Sequence, residues 1–423
     1  MHDRDEMAVF SSMAILNRRW RSAAVVLLIA CGAPGVRNGG RVERITRGDT
    51  TVFRSTGDGE WGPIRDAVEE LRGTRDGAAT VLEEVNSAIA LPGGGALLFD
   101  AKAQGGPALE LFDSNGRYLT AIGRQGRGPG EFRAERIVSL ATNADGTILV
   151  LDAPNHRIDR YAADGRAKAA VTIGDAAANG GPEFLRAGAN GSAYVWSYVV
   201  RERGLRDAEM TGYFHYDTTG KILDTILPQH LWFPPPPRPR YAAADQWSVL
   251  NDGRVILSRT DLVGFLVKAV DGDSHPLLAE LAVPTAVIGP DERKEIQTMV
   301  DFWDGQVLAH DKVVVQHEQV PDRKPAIREL MLDGDGRVWI QRNVESVPVP
   351  PHPAPGASHL AQTFDQPTVW SAFRTDGRYL GDVRFPIGVR VIGVVRDVAW
   401  AIVRDANNQQ RLVKYRIPGV AGK

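Results

Sequence analysis

The chain has one cysteine, Cys31, in 423 residues. An internal disulfide and a thiolate cage around a metal are both excluded. An excess of charge of either sign is also missing, because 50 basic side chains stand against 52 acidic ones and the formal net charge is −2. With no cationic surplus to neutralise phosphates, nucleic acid is not the expected partner. Metal-binding patterns are scarce. The nine histidines form no H-x-H or H-E-x-x-H, His317–Glu318 has no second ligand at helical spacing, and His352 and His359 fall in proline-rich sequence. No G-x-S-x-G elbow marks a serine hydrolase, although a Ser/His/Asp triad assembled from distant segments stays open. Beyond residue 30 no apolar run is long enough to cross a bilayer.

Glycine and proline are plentiful, at 44 and 26 residues. They punctuate a phrase that recurs six times: Gly95–Asp100, Gly146–Asp152, Gly191–Trp196, Gly253–Ser258, Gly336–Gln341 and Asp397–Ile402. Each is a short, mostly apolar run suited to a strand buried on both faces. Asp145–Gly146, Asn190–Gly191, Asp252–Gly253 and Asp335–Gly336 introduce four of them with the positive φ that tight turns require. A second strand follows each phrase: Leu109–Asp113, Ile158–Tyr161, Tyr213–Asp217, Phe265–Lys268, Trp370–Arg374 and Leu412–Tyr415. Most are closed by another glycine turn and a further β-prone stretch. The unit is therefore a meander of about four strands, the blade of a β-propeller. An all-β, six-bladed ring is expected, with the orphan strand Thr50–Arg54 completing the last blade and closing it.

Phrase spacing widens in the later copies. Asp291–Trp303 reads as an inserted helix, with Ile296, Met299, Val300 and Trp303 on one face, and Ile64–Leu71 is a second helix candidate. Phe233–Pro239 and Pro348–Pro355 read as polyproline-like loops. The longest gap leaves room for a seventh blade on Val313–Val315.

Two resemblances add to this reading. Arg18, Arg19 and Arg21 precede the apolar run Ala23–Ala30, which ends in Leu28-Ile29-Ala30-Cys31-Gly32. This resembles a bacterial lipoprotein signal, with an ordinary secretory signal as the competing reading. The resemblance implies cleavage before Cys31 and acylation of its sulfur and new amine, which together give stable anchoring. Residues 1–30 would be the signal peptide, 31–41 a flexible tether and 42–423 one propeller domain, with Met7 or Met13 possible starts. The implied address is the bacterial cell envelope on the extracytoplasmic side, the outer membrane being preferred because Gly32 rather than Asp follows the cysteine.

The second resemblance lies in residues 123–166. Asp152-Ala-Pro-Asn155-His156-Arg157 is similar to the NHL repeat, and Gly126–Phe132 to the glycine-rich loop that precedes many such blades. The whole chain resembles bacterial six-bladed propeller lipoproteins, a likeness that implies architecture more than activity.

For Asp152, Asn155, His156 and Arg157 the expected role is structural, since no nucleophile accompanies them. Arg124 and Arg127 are candidates for holding an anion on the glycine-rich loop. Trp232, Phe233, Trp247 and Trp303 are candidate contact residues, and Trp196 and Trp339 are expected to pack. The insertions around 229–247, 290–324 and 344–367 are expected to carry recognition. The leading functional reading is a lipid-anchored binding or scaffold module for an envelope protein, peptide or carbohydrate, without a cofactor and touching the membrane by its anchor alone. The alternative is a metal-dependent hydrolase or lactonase with calcium in the central channel.

Overall fold

Six runs that are apolar on both faces can be buried only if sheets stack face to face, and six stacked sheets close into a ring. A computed structural model shows this arrangement. It describes residues 41–420 apart from 104–107, 129–130, 133–136, 144, 174–181, 201–208, 227–245, 251, 259–261, 269–274, 312–319, 355–356 and 405–408. Blade 1 is the antiparallel meander Val85–Ala90, Ala96–Asp100, Ala108–Phe112, Tyr118–Ile122. Blade 2 is Ile137–Thr142, Ile148–Asp152, Arg157–Tyr161, Ala167–Thr172, and blade 3 is Pro182–Ala187, Ala193–Val200, Glu209–Tyr216, Ile222–Ile226. Blade 4 is Gln246–Val249, Val255–Ser258, Val263–Lys268, Leu277–Leu281. Blade 5 is Ile327–Leu332, Arg337–Arg342, Thr368–Arg374, Tyr379–Phe385. Blade 6 takes Val389–Val395, Val398–Arg404 and Gln410–Arg416 from the C-terminal end of the chain.

The core lies between the blades. Six apolar clusters each straddle one pair of neighbours: 1 and 2, 2 and 3, 3 and 4, 4 and 5, 5 and 6, and 6 and 1. Every blade is thus held on two sides, and the sixth cluster joins Trp400 and Leu412 of the last blade to Leu98 and Phe112 of the first. Trp196 and Trp339 are buried in these clusters. The tight turns depend on glycine. At Gly95, with φ +91°, a Cβ would stand 2.4 Å from the Phe112 carbonyl oxygen.

An N-terminal strand does close the ring, but not the expected one. Val68–Arg72 pairs antiparallel with Gln410–Arg416 as the fourth strand of blade 6. Thr50–Thr56 instead lies parallel to Leu277–Leu281 on the outside of blade 4, with Arg41–Arg47 paired beyond it. Between them, Arg65–Asp66 pairs parallel with Tyr379–Phe385 of blade 5. Residues 41–72 are therefore a belt that visits blades 4, 5 and 6 in turn. The helix expected at Ile64–Leu71 is overturned: Ile64 and Val68 are exposed, and the backbone hydrogen bonds go to two waiting sheet edges.

The inserted helix is present as Pro290–Asp311. The Pro348–Pro355 stretch is not a free polyproline loop; Val347–Ala354 pairs with Ala357–Asp365 as a hairpin. Phe233–Pro239 and Val313–Val315 lie outside the described residues.

Candidate functional site

Strand direction alternates within each blade, so its connections fall on two faces. One face carries the turns from the first to the second strand and from the third to the fourth. Among the described residues nine of these are tight turns with positive φ, at Gly95, Gly116, Gly146, Gly165, Gly191, Gly220, Gly253, Gly336 and Gly377. The other face receives the second-to-third connections and the crossovers between blades. It holds the glycine-rich crossover after Ile122, the helix Pro290–Asp311 and the hairpin Val347–Asp365. Tight turns leave little to vary, whereas the second face can build a site.

The innermost strands begin at this long-loop face. Four of them open with a β-bulge, between Val85 and Ser87, Ile137 and Ser139, Pro182 and Phe184, and Ile327 and Glu329. A bulge re-aims a side chain at a sheet rim. In blade 5 it leaves both Arg328 and Glu329 exposed, where strict alternation would bury one. In blade 6 Arg390 is exposed between buried Val389 and Val391, and one Nη2–H donates across to the Val85 carbonyl of blade 1 at 2.9 Å. In blade 3 Phe184 is 48% exposed and Arg186 is half-buried two residues on.

These charges feel one another. Protein surrounding Glu329 pushes its carboxyl above the ordinary range, against the pull of Arg390, Arg186 and Arg328. The same enclosure lowers Arg390, which is held up by Glu329 and pushed down by Arg404. A group that is open to water yet desolvated by its surroundings is what the wall of a channel provides. Glu329, Arg186 and Arg390 were missed in the sequence because they precede the repeated phrases. The available signal was charge inside otherwise apolar runs, as in Ile327-Arg-Glu-Leu-Met-Leu332.

The glycine-rich loop holds its own anion. The Glu131 carboxylate accepts the Gly128 N–H at 2.7 Å and pairs with Arg124 at 2.7 Å. These contacts, the amide first and Arg124 second, hold its carboxyl below the usual range. A Cβ at Gly126 would collide with this carboxylate. Arg127 is exposed, and its carbonyl accepts from Arg157 Nη1 at 2.8 Å.

The Asp152–Arg157 segment staples that loop to blade 2. Asn155 Nδ2 donates to the Gly126 carbonyl at 3.2 Å and to Asp152 Oδ2 at 2.7 Å. Arg157 also donates to the Glu131 carbonyl and meets Asp152 at 3.3 Å. His156 takes the left-handed conformation, φ 50°, ψ 49°, that ends the short turn. Arg157 Nε lies 2.9 Å from Asp159 Oδ1 without hydrogen-bond alignment, so their attraction is coulombic. Burial pushes Asp159 up to about 6 despite that neighbour.

Two of the insertions form one body. Glu292 on the helix pairs with buried Lys324 at 3.0 Å and accepts from Ser346 Oγ at 2.7 Å. Glu295 accepts the Thr363 N–H and hydroxyl from the hairpin at 2.7 and 2.5 Å. Ile296 and Val300 pack on Ile288 and Val320. An open groove of about 340 Å³ runs between helix start and hairpin, lined by Val287, Asp291, Glu345 and Phe364 among others. Trp303 lies on this helix and Trp247 in the inner strand of blade 4, while Trp232, Phe233 and Cys31 lie outside the described residues.

One constellation imitates a hydrolase. His215 places Nε2 2.9 Å from Ser192 Oγ and Nδ1 3.1 Å from Asp224 Oδ2, with its ring stacked on Tyr194 at 4.0 Å. Ser192 Oγ, however, donates to the Ala189 carbonyl at 2.7 Å, and the residue is buried on the tight-turn face. This is a turn brace rather than a nucleophile poised over a pocket. No group of three or more His, Cys, Asp or Glu able to hold a metal occurs among the described residues.

The sequence profile of a family described as a 6-bladed beta-propeller matches residues 97–230. No curated protein matches the chain. Solved structures of similar outline include a protein described as exported, from Bacteroides fragilis, at 12% identity and TM-score 0.45, covering 87% of this chain and 99% of that one. A DUF4221-family protein from Bacteroides vulgatus aligns at 12% identity and TM-score 0.46, with 83% and 98% covered. Virginiamycin B lyase from Staphylococcus aureus aligns at 9% identity and TM-score 0.38, with 79% and 94% covered. These likenesses are too distant to transfer an activity.

Proposed function

We propose that this six-bladed ring is an extracytoplasmic binding module of a bacterial envelope, lipid-anchored at Cys31, that recognises its partner with the long-loop face. The observation carrying this reading is the asymmetry of the two faces. Among the described residues, tight turns occupy one, while the helix–hairpin body and the charged starts of the inner strands of blades 5 and 6 share the other. A rigid ring that presents long loops on one face is a sound basis for recognition of an envelope protein, peptide or carbohydrate. The metal-dependent hydrolase reading is not favoured, since the described residues offer no cluster of ligands. No helix among them is long and apolar enough to cross a membrane, and the anchor would be the lipid alone.

The test has two arms. Cys31→Ser is expected to abolish incorporation of labelled palmitate and release the protein from membranes; unchanged labelling would sink the anchor. Photo-crosslinkers placed at Glu345 or Asp291 are expected to trap a partner in intact envelopes, and ones at Asn115 or Asp376 on the turn face are not. Equal trapping from both faces would overturn the assignment.

A further inference from the structure

We infer that Arg186, Arg328 and Arg390, on the inner strands of blades 3, 5 and 6 with Glu329 next to Arg328, form a site for a ligand bearing a compact anionic group, a carboxylate or a phosphate, with Phe184 exposed two residues before Arg186 on the same strand. The inference rests on the long-loop face being the recognition face and adds the chemistry recognised there.

Three cations act on one carboxylate, since Arg390, Arg186 and Arg328 each favour the ionised form of Glu329. Among the described residues none of these arginines has an ion-pair partner within salt-bridge distance. Arg390 donates one bond to the Val85 carbonyl and Arg186 one to the Leu185 carbonyl at 3.0 Å. A guanidinium carries five N–H donors in a planar fork, so among the described residues most of this capacity is unspent. Several arginines elsewhere in the fold are paired. Arg157, Arg337 and Arg342 each meet a carboxylate within 3.3 Å. The inner-strand arginines thus differ from the structural ones in the same protein.

Their setting favours an anion. Surrounding protein desolvates Arg390 and Glu329 in part although both stay exposed, which strengthens any charge contact made there. The same enclosure favours the protonated form of Glu329, which weakens the counter-charge it sets against these arginines. The bulge at Ile327–Glu329 sets Arg328 and Glu329 on the open side together. Bidentate recognition of carboxylate or phosphate is the natural use of paired guanidinium forks. The exposed Phe184 ring supplies an apolar surface for the remainder of the ligand.

The competing account makes Glu329 the sole counterion of a water-filled channel that binds nothing. The two accounts differ in whether a small anion binds at all. Titration calorimetry of the mature chain at low salt, with inorganic phosphate and with acetate as separate probes, is expected to show saturable binding of at least one. Arg390→Gln and Arg186→Gln should each weaken it by about tenfold. Glu329→Gln, which removes a like charge, should strengthen it by about threefold. Preference for phosphate or for acetate identifies the anionic group. Absence of binding by both probes, or weaker binding in Glu329→Gln with an unchanged melting curve, would overturn the inference. Face-specific crosslinking would be untouched by that failure, so the anion site and the recognition face can fail separately.

Discussion

Blades 1–3 and blades 4–6 build the same sheet and finish it differently. In the first half each blade is four strands and stops. Its outer strands, Tyr118–Ile122, Ala167–Thr172 and Ile222–Ile226, are short and largely exposed. In the second half each outer edge receives a piece of the N-terminal belt: two strands on blade 4, two residues on blade 5, and the completing strand on blade 6. The insertions that form the helix–hairpin body also lie in this half. Outer edges can be left short and polar or can be covered, and this chain does both. Only the last belt strand is needed for closure. The others cover edges, so the belt should be divisible into a dispensable and an indispensable part.

That division predicts the largest effect. Starting the chain after Gly57 removes the strands on blade 4 but keeps the ring closed. A cooperative melting transition is expected, lowered by several degrees, roughly the cost of ~1–2 kcal/mol in a domain of this size. Starting it after Gly73 removes Val68–Arg72, opens blade 6 and exposes the edge of Gln410–Arg416. The transition should then broaden or vanish, because both ends of the ring lose their common sheet. Equal melting of the two truncations would break the comparison.

Next in size are a half-buried and a buried cation, one in each half. Arg157 holds the blade 1–2 crossover through the Arg127 and Glu131 carbonyls and also faces two buried carboxylates. Arg157→Ala strands those charges and is expected to cost about 3 kcal/mol of global stability. Lys324, at 7% exposure, ties the helix to the hairpin through Glu292, Ser346 and the Val344 carbonyl. Lys324→Met should cost about 1–2 kcal/mol, and hydrogen exchange should rise in residues 290–311 and 347–365 rather than throughout the ring. Global loosening by both variants would mean the helix–hairpin body is part of the core.

How far the sequence could be read follows the same division. The six phrases, their glycine turns and the Asp152–Arg157 motif are local patterns, and they report the regular blades directly. The belt is not local. Ile64, Ala67, Val68 and Leu71 mimic a helical spacing, but residues 65–72 pair with edges more than 300 residues away, and tertiary pairing outweighed the pattern. The Pro-rich stretch misled for a related reason. Proline tolerates an edge, so Val347–Ala354 could still find a partner in Ala357–Asp365. The charged inner strands escaped because single arginines in apolar runs look like surface noise until the ring brings them to one axis.

A smaller effect is a difference in pH dependence. Asp159, at 2% exposure, is pushed up to about 6 from an ordinary 3.8, chiefly by burial. Between those values the folded protein holds a proton that the unfolded chain has released. This group therefore subtracts stability as pH rises from about 4 to about 6, the reverse of an ordinary salt-bridged aspartate. Asp159→Asn should flatten that contribution, so that the melting temperature of the variant minus that of the wild type increases between pH 4 and pH 7. A difference that falls over this range would show that Arg157 stabilises the ionised form more than burial opposes it.

The smallest effect is expected at the tight-turn face of blade 3. Ser192, His215 and Asp224 have the distances of a hydrolytic triad, but the Ser192 hydroxyl is already committed to the Ala189 carbonyl. The turn holding it has Asn190 in the left-handed conformation and Gly191 beside it, a geometry that a brace would secure. His215, stacked on Tyr194, then links that turn to the outer strand through Asp224. Ser192→Ala should cost about 1 kcal/mol, the worth of one hydrogen-bonded hydroxyl. A fluorophosphonate probe, which labels activated serines, should leave the wild type unmodified. Labelling of wild type that disappears in both Ser192→Ala and His215→Ala would turn the brace into an active site and place chemistry on the face assigned to structure alone.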